Sequence, residues 1–333
     1  MLCNWGVLGP GFIATRAVIP AIQQAPNSRV LAVASSSGER SREVALRFGI
    51  ERSYSGYQAL LDDRDVDVVY IALPNHLHRE WTMRSALAGK HVLCEKPLAM
   101  SAAECDEMIV ACQQAKVLLM EAVMYRFHPR MLHMKQMLVA REAGDIRFVH
   151  AAFSFHFNGP GNYRAYRQFG GGALLDIGSY CVNAARWLIG SEPDSSQAVI
   201  SYSHESIDLS TSAVLRFGED VSAHIQCSFV AAEHQTIEVV GTTGAVTAPL
   251  AFTAWRDDTT MLFIQRGAVF EQRKFSPADP YQLMVEHFTT CVMEKTSLLY
   301  PPEDGRATLR VLDMLRGSES VIKPRFPTID EWP

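Results

Sequence analysis

From Asn4 to about Met120 the chain alternates short apolar runs with longer amphipathic stretches. Asn4–Leu8 is a strand-like run that ends in glycines. Ile13–Gln24 reads as a helix, interrupted or ended near Pro20. Arg29–Ala34 is a second strand, and Glu39–Phe48 a helix stopped by Gly49. A short helix starts over Tyr57–Leu61. Val66–Leu73 is a strongly apolar strand stopped by Pro74. Leu77–Ala88 is a helix with Gly89 as its stop, and His91–Cys94 a strand ended by Pro97. Ala102–Gln114 and Val117–Met120 add one more helix and strand. Strands this apolar are covered on both faces, which predicts a parallel sheet between helical layers.

After about Tyr125 the pattern changes. Arg130–Ala140 is helical. Ile146–Asn158 alternates with period two and sets Phe153, Phe155 and Phe157 on one face. Gly170-Gly171-Gly172 precedes a helix from about Asp176 to Leu188. Strand candidates then follow with few helical stretches: Ile207–Phe217, Val221–Phe229, Gln235–Val240 and Met261–Ile264. They predict a largely antiparallel sheet, one face of which is expected to be wetted or covered in part by a second subunit. Helices over Tyr281–Glu294 and Glu303–Leu315 close the pattern. The expected division is residues 1–122 for a nucleotide domain and 123–333 for a substrate and oligomerisation domain, with the last helix free to pack back on the first.

The 333 residues suffice for two domains with real cores. A net charge of -5 gives no support for nucleic acid as a partner. No run of about 18 uncharged apolar residues predicts a membrane span, and the start shows no signal-peptide pattern, so a cytoplasmic protein is expected. The seven cysteines form no CxxC pair. They read as buried or partly buried thiols rather than disulfides or a zinc site.

Three segments carry chemistry. The first is Gly9-Pro10-Gly11-Phe12-Ile13-Ala14, a GxGxxA placed after a strand and opening a helix. Gly9 makes the tight turn, Gly11 lets backbone approach a pyrophosphate, and Ala14 permits close helix–sheet packing. The helix start around Phe12 and Ile13 offers free N–H groups to the phosphates. The end of the second strand holds Ser35 and Ser36 where an NAD site usually holds a carboxylate. Ser35, Ser36 and Arg40, with Arg42 as a further contributor, suit a 2'-phosphate, so NADP is expected over NAD; Glu39 is the competing ribose ligand. The plainer reading is an ordinary helix start capped by Ser36 or Ser37.

The second segment is Cys94-Glu95-Lys96-Pro97, at the carboxyl end of its strand. A lysine there can stabilise charge on a substrate oxygen or exchange its proton. Glu95 can orient it or contact cofactor or substrate hydroxyls. The third is Gly170 to Asn183. Asp176 and Tyr180 lie four apart and Asn183 three further, so on a helix they share a face. A buried row of this kind either satisfies itself internally or binds a polyhydroxylated ligand.

These segments, with Val69–His78 and Ala88–Leu98, resemble the glucose–fructose oxidoreductase / inositol dehydrogenase (Gfo/Idh/MocA) family over nearly the whole chain. The motifs are closest to its dimeric dihydrodiol dehydrogenase and sugar dehydrogenase branch. The resemblance implies an α/β fold: a Rossmann domain with a parallel sheet, then an α/β domain with a large open, mostly antiparallel sheet used in oligomer contacts. It implies that Lys96 lies close to the transferred hydride and that Asp176 binds substrate. Tyr180 stands where many members have histidine, as the acid/base. A nearby Lys96 would favour its phenolate. Leu73, Pro74, Asn75 and His78 are implied on the cofactor side, with Glu95 near the nicotinamide ribose. Arg126 and His128 are implied near cofactor or substrate. Tyr163-Arg164, in the loop after Gly159–Gly161, is a candidate lining segment of the substrate pocket; the plainer reading of Arg164 is a solvated loop arginine.

No metal is expected: His76 and His78 lack carboxylate neighbours, and hydride transfer needs no metal. The expected partners are a small polar substrate and further copies of the chain in a homodimer or homotetramer, with no nucleic acid and no membrane. The expected reaction is hydride transfer between NADP, or NAD, and a secondary or hemiacetal hydroxyl of a sugar or polyol. The competing readings are a trans-dihydrodiol dehydrogenase, a sugar oxidoreductase or glycosidase with tightly held cofactor, and a non-catalytic dinucleotide sensor.

Overall fold

The computed structural model describes residues 2–322 apart from Asn158, Pro160 and Glu205. The end of the alternating segment at Asn158 and the proline of the Gly159–Gly161 loop therefore lie outside the described residues. The chain forms two compact units. Residues 1–124 and 279–306 make the first, and residues 125–278 and 307–333 the second.

In the first unit β1 (Cys3–Leu8) leads into a π-helical turn (Ala14–Val18) and α1 (Ile19–Gln24). Pro20 was expected to interrupt or end this helix; the winding does change there, from the π turn to α1 with Pro20 as its second residue, while the backbone stays helical through the change. Next come β2 (Ser28–Ser35), α2 (Gly38–Phe48), β3 (Arg52–Ser55), α3 (Tyr57–Leu61), β4 (Val68–Ile71) and α4 (His78–Leu87). β5 (His91–Cys94), α5 (Ala102–Ala115) and β6 (Leu119–Glu121) complete the series. The six strands pair in parallel in the order β3-β2-β1-β4-β5-β6. The order reverses between β1 and β4, and ligand crevices of such sheets open at that switch, beyond the strands' carboxyl ends. The helix Pro280–Glu294 packs on α1. Its Phe288 ring lies 5.8 Å from that of Trp5, whose indole N–H donates to Thr289 at 3.3 Å.

In the second unit α6 (Pro129–Val139) precedes β7 (Ile146–Ser154), and a second π-helical turn (Leu174–Gly178) runs directly into α7 (Ser179–Ile189). The remaining strands are β8 (Ser195–Tyr202), β9 (Asp208–Phe217), β10 (Val221–Ser228), β11 (His234–Gly241), β12 (Gly244–Pro249), β13 (Thr260–Arg266), β14 (Val269–Phe275) and β15 (Glu319–Ile322). They form one sheet in the order β14-β13-β12-β11-β7-β10-β9-β8-β15. Only the β7–β10 and β8–β15 pairs are parallel. The predicted strand from Ile146 ends as a ladder at Ser154, yet Phe155 and Phe157 still donate to Ser228 and Phe229 carbonyls.

Along most of β9 and β10 burial alternates, because α7 and its π turn cover one face. Val149, Ala213, Leu215, Ile225 and Cys227 face them in the core. The other face shows Phe148, Val199, Val214, His224 and Phe263 to solvent within this chain. No described helix is long and apolar enough to cross a membrane. The seven cysteines are all buried free thiols, pushed up in pKa by burial where they shift.

Candidate active site

The phosphate turn is built by β1 stopping at a residue that no side chain fits. Gly9 has φ 81°, and a Cβ there would lie 2.6 Å from Leu73 Cδ2 and 2.8 Å from the Ala72 carbonyl oxygen. Leu73 is buried and supports the turn from β4. A Cβ on Gly11, in contrast, would come no nearer to the chain than 4.0 Å, to Gly9 O. The space before Gly11 is open, as close approach by a pyrophosphate requires. Phe12, next to it, is 75% exposed. Ile13 N-caps the π turn with helical backbone angles.

Beside this turn, Ser37 caps α2 by accepting the Arg40 N–H at 3.3 Å, so the plainer reading of this segment is realised by Ser37. Ser35 is buried and its hydroxyl accepts the Ser37 N–H at 3.2 Å, while Ser36 is exposed. The Arg40 guanidinium still reaches back to the phosphate turn, donating to Pro10 O at 3.4 Å, and it pairs with Glu43 at 2.9 Å. Free helix amides, an open glycine and this cation fit a dinucleotide phosphate group.

At the end of β4, Pro74 leads into buried Asn75. His78 is fully buried, with Nε2 2.8 Å from the Leu73 carbonyl and Nδ1 2.9 Å from the Pro97 carbonyl. Burial lowers its pKa against the raising effect of the two carbonyls. The ring therefore lies between the β4 and β5 loops, and its one N–H, at Nδ1 or Nε2 by tautomer, donates to the carbonyl it faces. Glu95 accepts the Tyr70 hydroxyl at 2.6 Å, and its own N–H donates to Ile71 O. Burial, then the neighbouring Glu95, drives the Tyr70 phenol far above its ordinary value, so it remains a donor. The Lys96–Pro97 bond is cis, and Leu98 N–H donates to Glu121 at 2.9 Å. Gly9, Gly11, Leu73 to Asn75, Glu95 and Lys96 thus all sit at carboxyl ends of neighbouring strands, the arrangement expected from the sequence.

In the second unit the glycine triplet is a packing device. Gly172 has φ 110°, and a Cβ there would lie 2.7 Å from Asp208 Cγ. Asp208 Oδ2 accepts the Leu174 N–H at 2.5 Å, anchoring the π turn. Burial raises the Asp208 carboxyl to about 6, against the lowering effects of the Leu174 N–H and of Arg316. Asp176 follows, 2% exposed, with Oδ2 accepting Arg164 Nε–H at 2.7 Å.

Arg164, for which the sequence offered a pocket-lining or a solvated role, is the partner of Asp176. Burial acts to lower its pKa; the Asp176 carboxylate, then Tyr163 and Tyr180, more than offset it and hold it above its ordinary value. The Arg164 guanidinium also lies 4.9 Å from the Tyr163 ring centroid.

Tyr180 stands in an aromatic cage, its ring 5.4 Å from Phe252, 5.7 Å from Phe153 and 6.0 Å from Tyr125. Asn183 is buried, accepting the Tyr125 hydroxyl at 2.7 Å and donating to Thr308 at 3.3 Å. Arg126 is 1% exposed, donates to Asn183 O at 3.4 Å and lies 5.2 Å from the Trp187 ring centroid. His128 caps α6, and burial lowers its pKa to about 4. A paired carboxylate and a phenol on one turn can orient a hydroxylated molecule and exchange a proton with it. No group of three or more His, Cys, Asp or Glu side chains is placed to hold a metal among the described residues.

Comparison with known proteins agrees with this construction. Over 316 residues the chain is 36% identical to a D-xylose 1-dehydrogenase (NADP(+)) of Haloferax volcanii, covering 93% of this chain and 95% of that one. It is 32% identical over 325 residues to a trans-1,2-dihydrobenzene-1,2-diol dehydrogenase of Xenopus laevis, covering 94% and 95%. KijD10, a 3-ketoreductase from Actinomadura kijaniata solved with NADP and TDP-benzene, superposes with a TM-score of 0.93 at 30% identity, over 98% of this chain and 100% of that one. Residues 3–123 match the model of the oxidoreductase family with a NAD-binding Rossmann fold, and residues 131–247 match the GFO/IDH/MocA C-terminal domain. The chain is therefore an oxidoreductase of the Gfo/Idh/MocA family, built from that family's nicotinamide-dinucleotide-binding Rossmann half and its C-terminal half.

Proposed function

We propose that the chain transfers hydride between NADP and a secondary or hemiacetal hydroxyl of a sugar or polyol, in either direction. The observation that carries the reading is the buried turn that raises a cation-paired carboxylate and a phenol together, Asp176 and Tyr180. Such a couple suits a substrate rich in hydroxyls better than an apolar alcohol. The xylose dehydrogenase and the 3-ketoreductase among the similar proteins support it. When bound, the nicotinamide accepts or returns the hydride. Tyr180 takes the hydroxyl proton, Lys96 stabilises charge on the same oxygen, and Asp176 orients the substrate. The aromatic cage of Phe153, Phe252 and Tyr125 favours a second reading, oxidation of a dihydrodiol whose flat ring needs apolar contacts. Initial rates at 340 nm with aldoses, inositols and dihydrodiols separate the two. Silence across all of them, and with keto-sugars and NADPH in the reverse direction, sinks both.

The preference for NADP rests on Arg40 beside the phosphate turn and on serines in place of a carboxylate at the end of β2. A charged hydrogen bond contributes roughly 1.5–3 kcal/mol. Arg40→Ala should therefore raise KM for NADP about 10-fold or more and leave KM for NAD nearly unchanged. An equal effect on both cofactors would remove the 2'-phosphate assignment.

The open sheet face is assigned to a second copy of the chain, as a homodimer or homotetramer. Exposed Phe148, Val199, Val214 and Phe263 stand among polar neighbours across adjacent strands, a surface that a like face can cover. Val214→Glu is expected to shift the sedimentation coefficient to that of the monomer at micromolar concentration. A monomeric wild type would end this assignment.

A further inference from the structure

We propose that Arg130 and Gln235 are positioning residues for the Tyr180 phenol: they clamp residues 249–253 so that the Phe252 ring forms the wall against which Tyr180 packs. The proposal rests on the reading of Tyr180 as the acid/base of hydride transfer. Arg130 is 1% exposed. Its Nη1 donates to the Pro249 carbonyl at 2.7 Å and its Nη2 to the Leu250 carbonyl at 2.8 Å. No carboxylate pairs with it among the described residues. Burial lowers its pKa to about 10, so the guanidinium stays charged at neutral pH. A buried charge without a counter-ion is unfavourable, and a packed core alone is better served here by an apolar side chain. What only arginine supplies is a planar fork that fits two consecutive carbonyls.

The segment it holds is strained and is gripped from a second side. Leu250 has φ 47°, in the left-handed region that favours glycine. Its N–H donates to the Gln235 carbonyl at 2.9 Å. The Gln235 side chain is buried, and its Oε1 accepts the Phe252 N–H at 3.2 Å and the Thr253 N–H at 3.0 Å. Its Nε2 donates to the Thr253 hydroxyl. Both ends of the amide are thus spent on this segment.

What the clamp delivers is one ring. Phe252 is 1% exposed, stacks on Phe153 at 5.4 Å with 7° between the planes, and meets Tyr125 edge-on at 5.3 Å. Phe153 is the cross-strand partner of Gln235, so neighbouring residues of β7 and β11 hold Phe252 by its ring and by its backbone. The same ring packs on Tyr180 at 5.4 Å. In a close-packed cluster a shift of Phe252 carries the phenol with it. Misplacing a reacting group by about 1 Å lowers a rate by about 100-fold.

The test is a kinetic cycle over wild type, Gln235→Leu, Tyr180→Phe and the double variant, with NADP and the fastest of D-xylose, D-glucose and myo-inositol. Gln235→Leu is expected to lower kcat about 10-fold and to leave KM and the Kd for NADPH within about 2-fold. In the Tyr180→Phe background the same change should move kcat by less than about 2-fold, because its effect passes through the phenol. Gln235→Glu keeps an oxygen for the two N–H groups and should hold kcat within about 3-fold of wild type. Arg130→Lys keeps the charge but loses the fork, and should act as Gln235→Leu does, which keeps the test available if Gln235→Leu does not fold. An equal drop in both backgrounds overturns the proposal, as does a kcat within about 2-fold of wild type in both Gln235→Leu and Arg130→Lys. Either result, with an active wild type, removes the positioning role alone. A wild type silent in both directions removes the hydride-transfer reading, and the positioning role falls with it.

Discussion

Tyr180→Phe is expected to lower kcat by about 10²–10⁴-fold, the usual contribution of a positioned acid or base. The substitution is conservative in every other respect. The Tyr180 ring is 8% exposed and packs against Phe252, Phe153 and Tyr125. Phenylalanine keeps those contacts, so stability should change by no more than about 1 kcal/mol, the net worth of one hydrogen bond. The Kd for NADPH, read from its fluorescence, should stay within about 2-fold, since no cofactor contact is assigned to Tyr180. Loss of turnover with intact cofactor binding and an unchanged melting curve assigns the proton to this phenol. Retention of kcat within a few-fold moves the proton to Lys96, the alternative that the sequence leaves open.

Gly172→Ala is expected to cost about 3 kcal/mol and to lower Tm by roughly 6–12 °C, from two separate causes. One is the backbone, since φ 110° lies where residues with a Cβ are strained. The other is the Asp208 carboxylate, whose Cγ would stand 2.7 Å from the new methyl. Asp208 cannot easily move away, because its Oδ2 holds the Leu174 N–H and the surroundings are packed core. The two causes can be separated. Asp208→Ala removes the collision but not the backbone strain, so the double variant should lose about 1–2 kcal/mol less than the sum of the single ones. Urea unfolding of the four proteins measures this coupling. Strict additivity would show that the close approach of Gly172 to Asp208 is not what requires glycine here.

Much of the first unit was legible because its signals are local. His91–Cys94 is the strand read from the sequence, and Arg29–Ala34 falls short of β2 by one residue at each end. Those runs are apolar because a central parallel strand is covered on both faces. The strand Arg52–Ser55 passed unseen. It lies at the sheet edge and pairs through its backbone alone with β2, so its polar side chains carry no pattern. β14 was missed for the same reason: its residues are exposed or half-buried at the opposite kind of edge, that of the large sheet. The face shared by Asp176, Tyr180 and Asn183 was inferred from α-helical spacing, yet Asp176 sits in a π turn that joins α7. Asn183 bonds to Tyr125 and Thr308, partners 58 and 125 residues away.

The sequence by itself determined the alternating parallel sheet, the phosphate turn at Gly9 and Gly11, the serine-capped start of α2 and the placement of Lys96 at a strand end. Each follows from propensities and backbone geometry acting over a few neighbouring residues. Only the tertiary structure decided that Arg164 is the partner of Asp176, that Asp208, 34 residues beyond Leu174, anchors the glycine turn, and that His78 lies between two loop carbonyls. Spacing along the chain says which side chains can share an element. Which buried polar groups find one another depends on how whole elements pack, and a buried carboxylate or imidazole must find a partner there because water no longer supplies one.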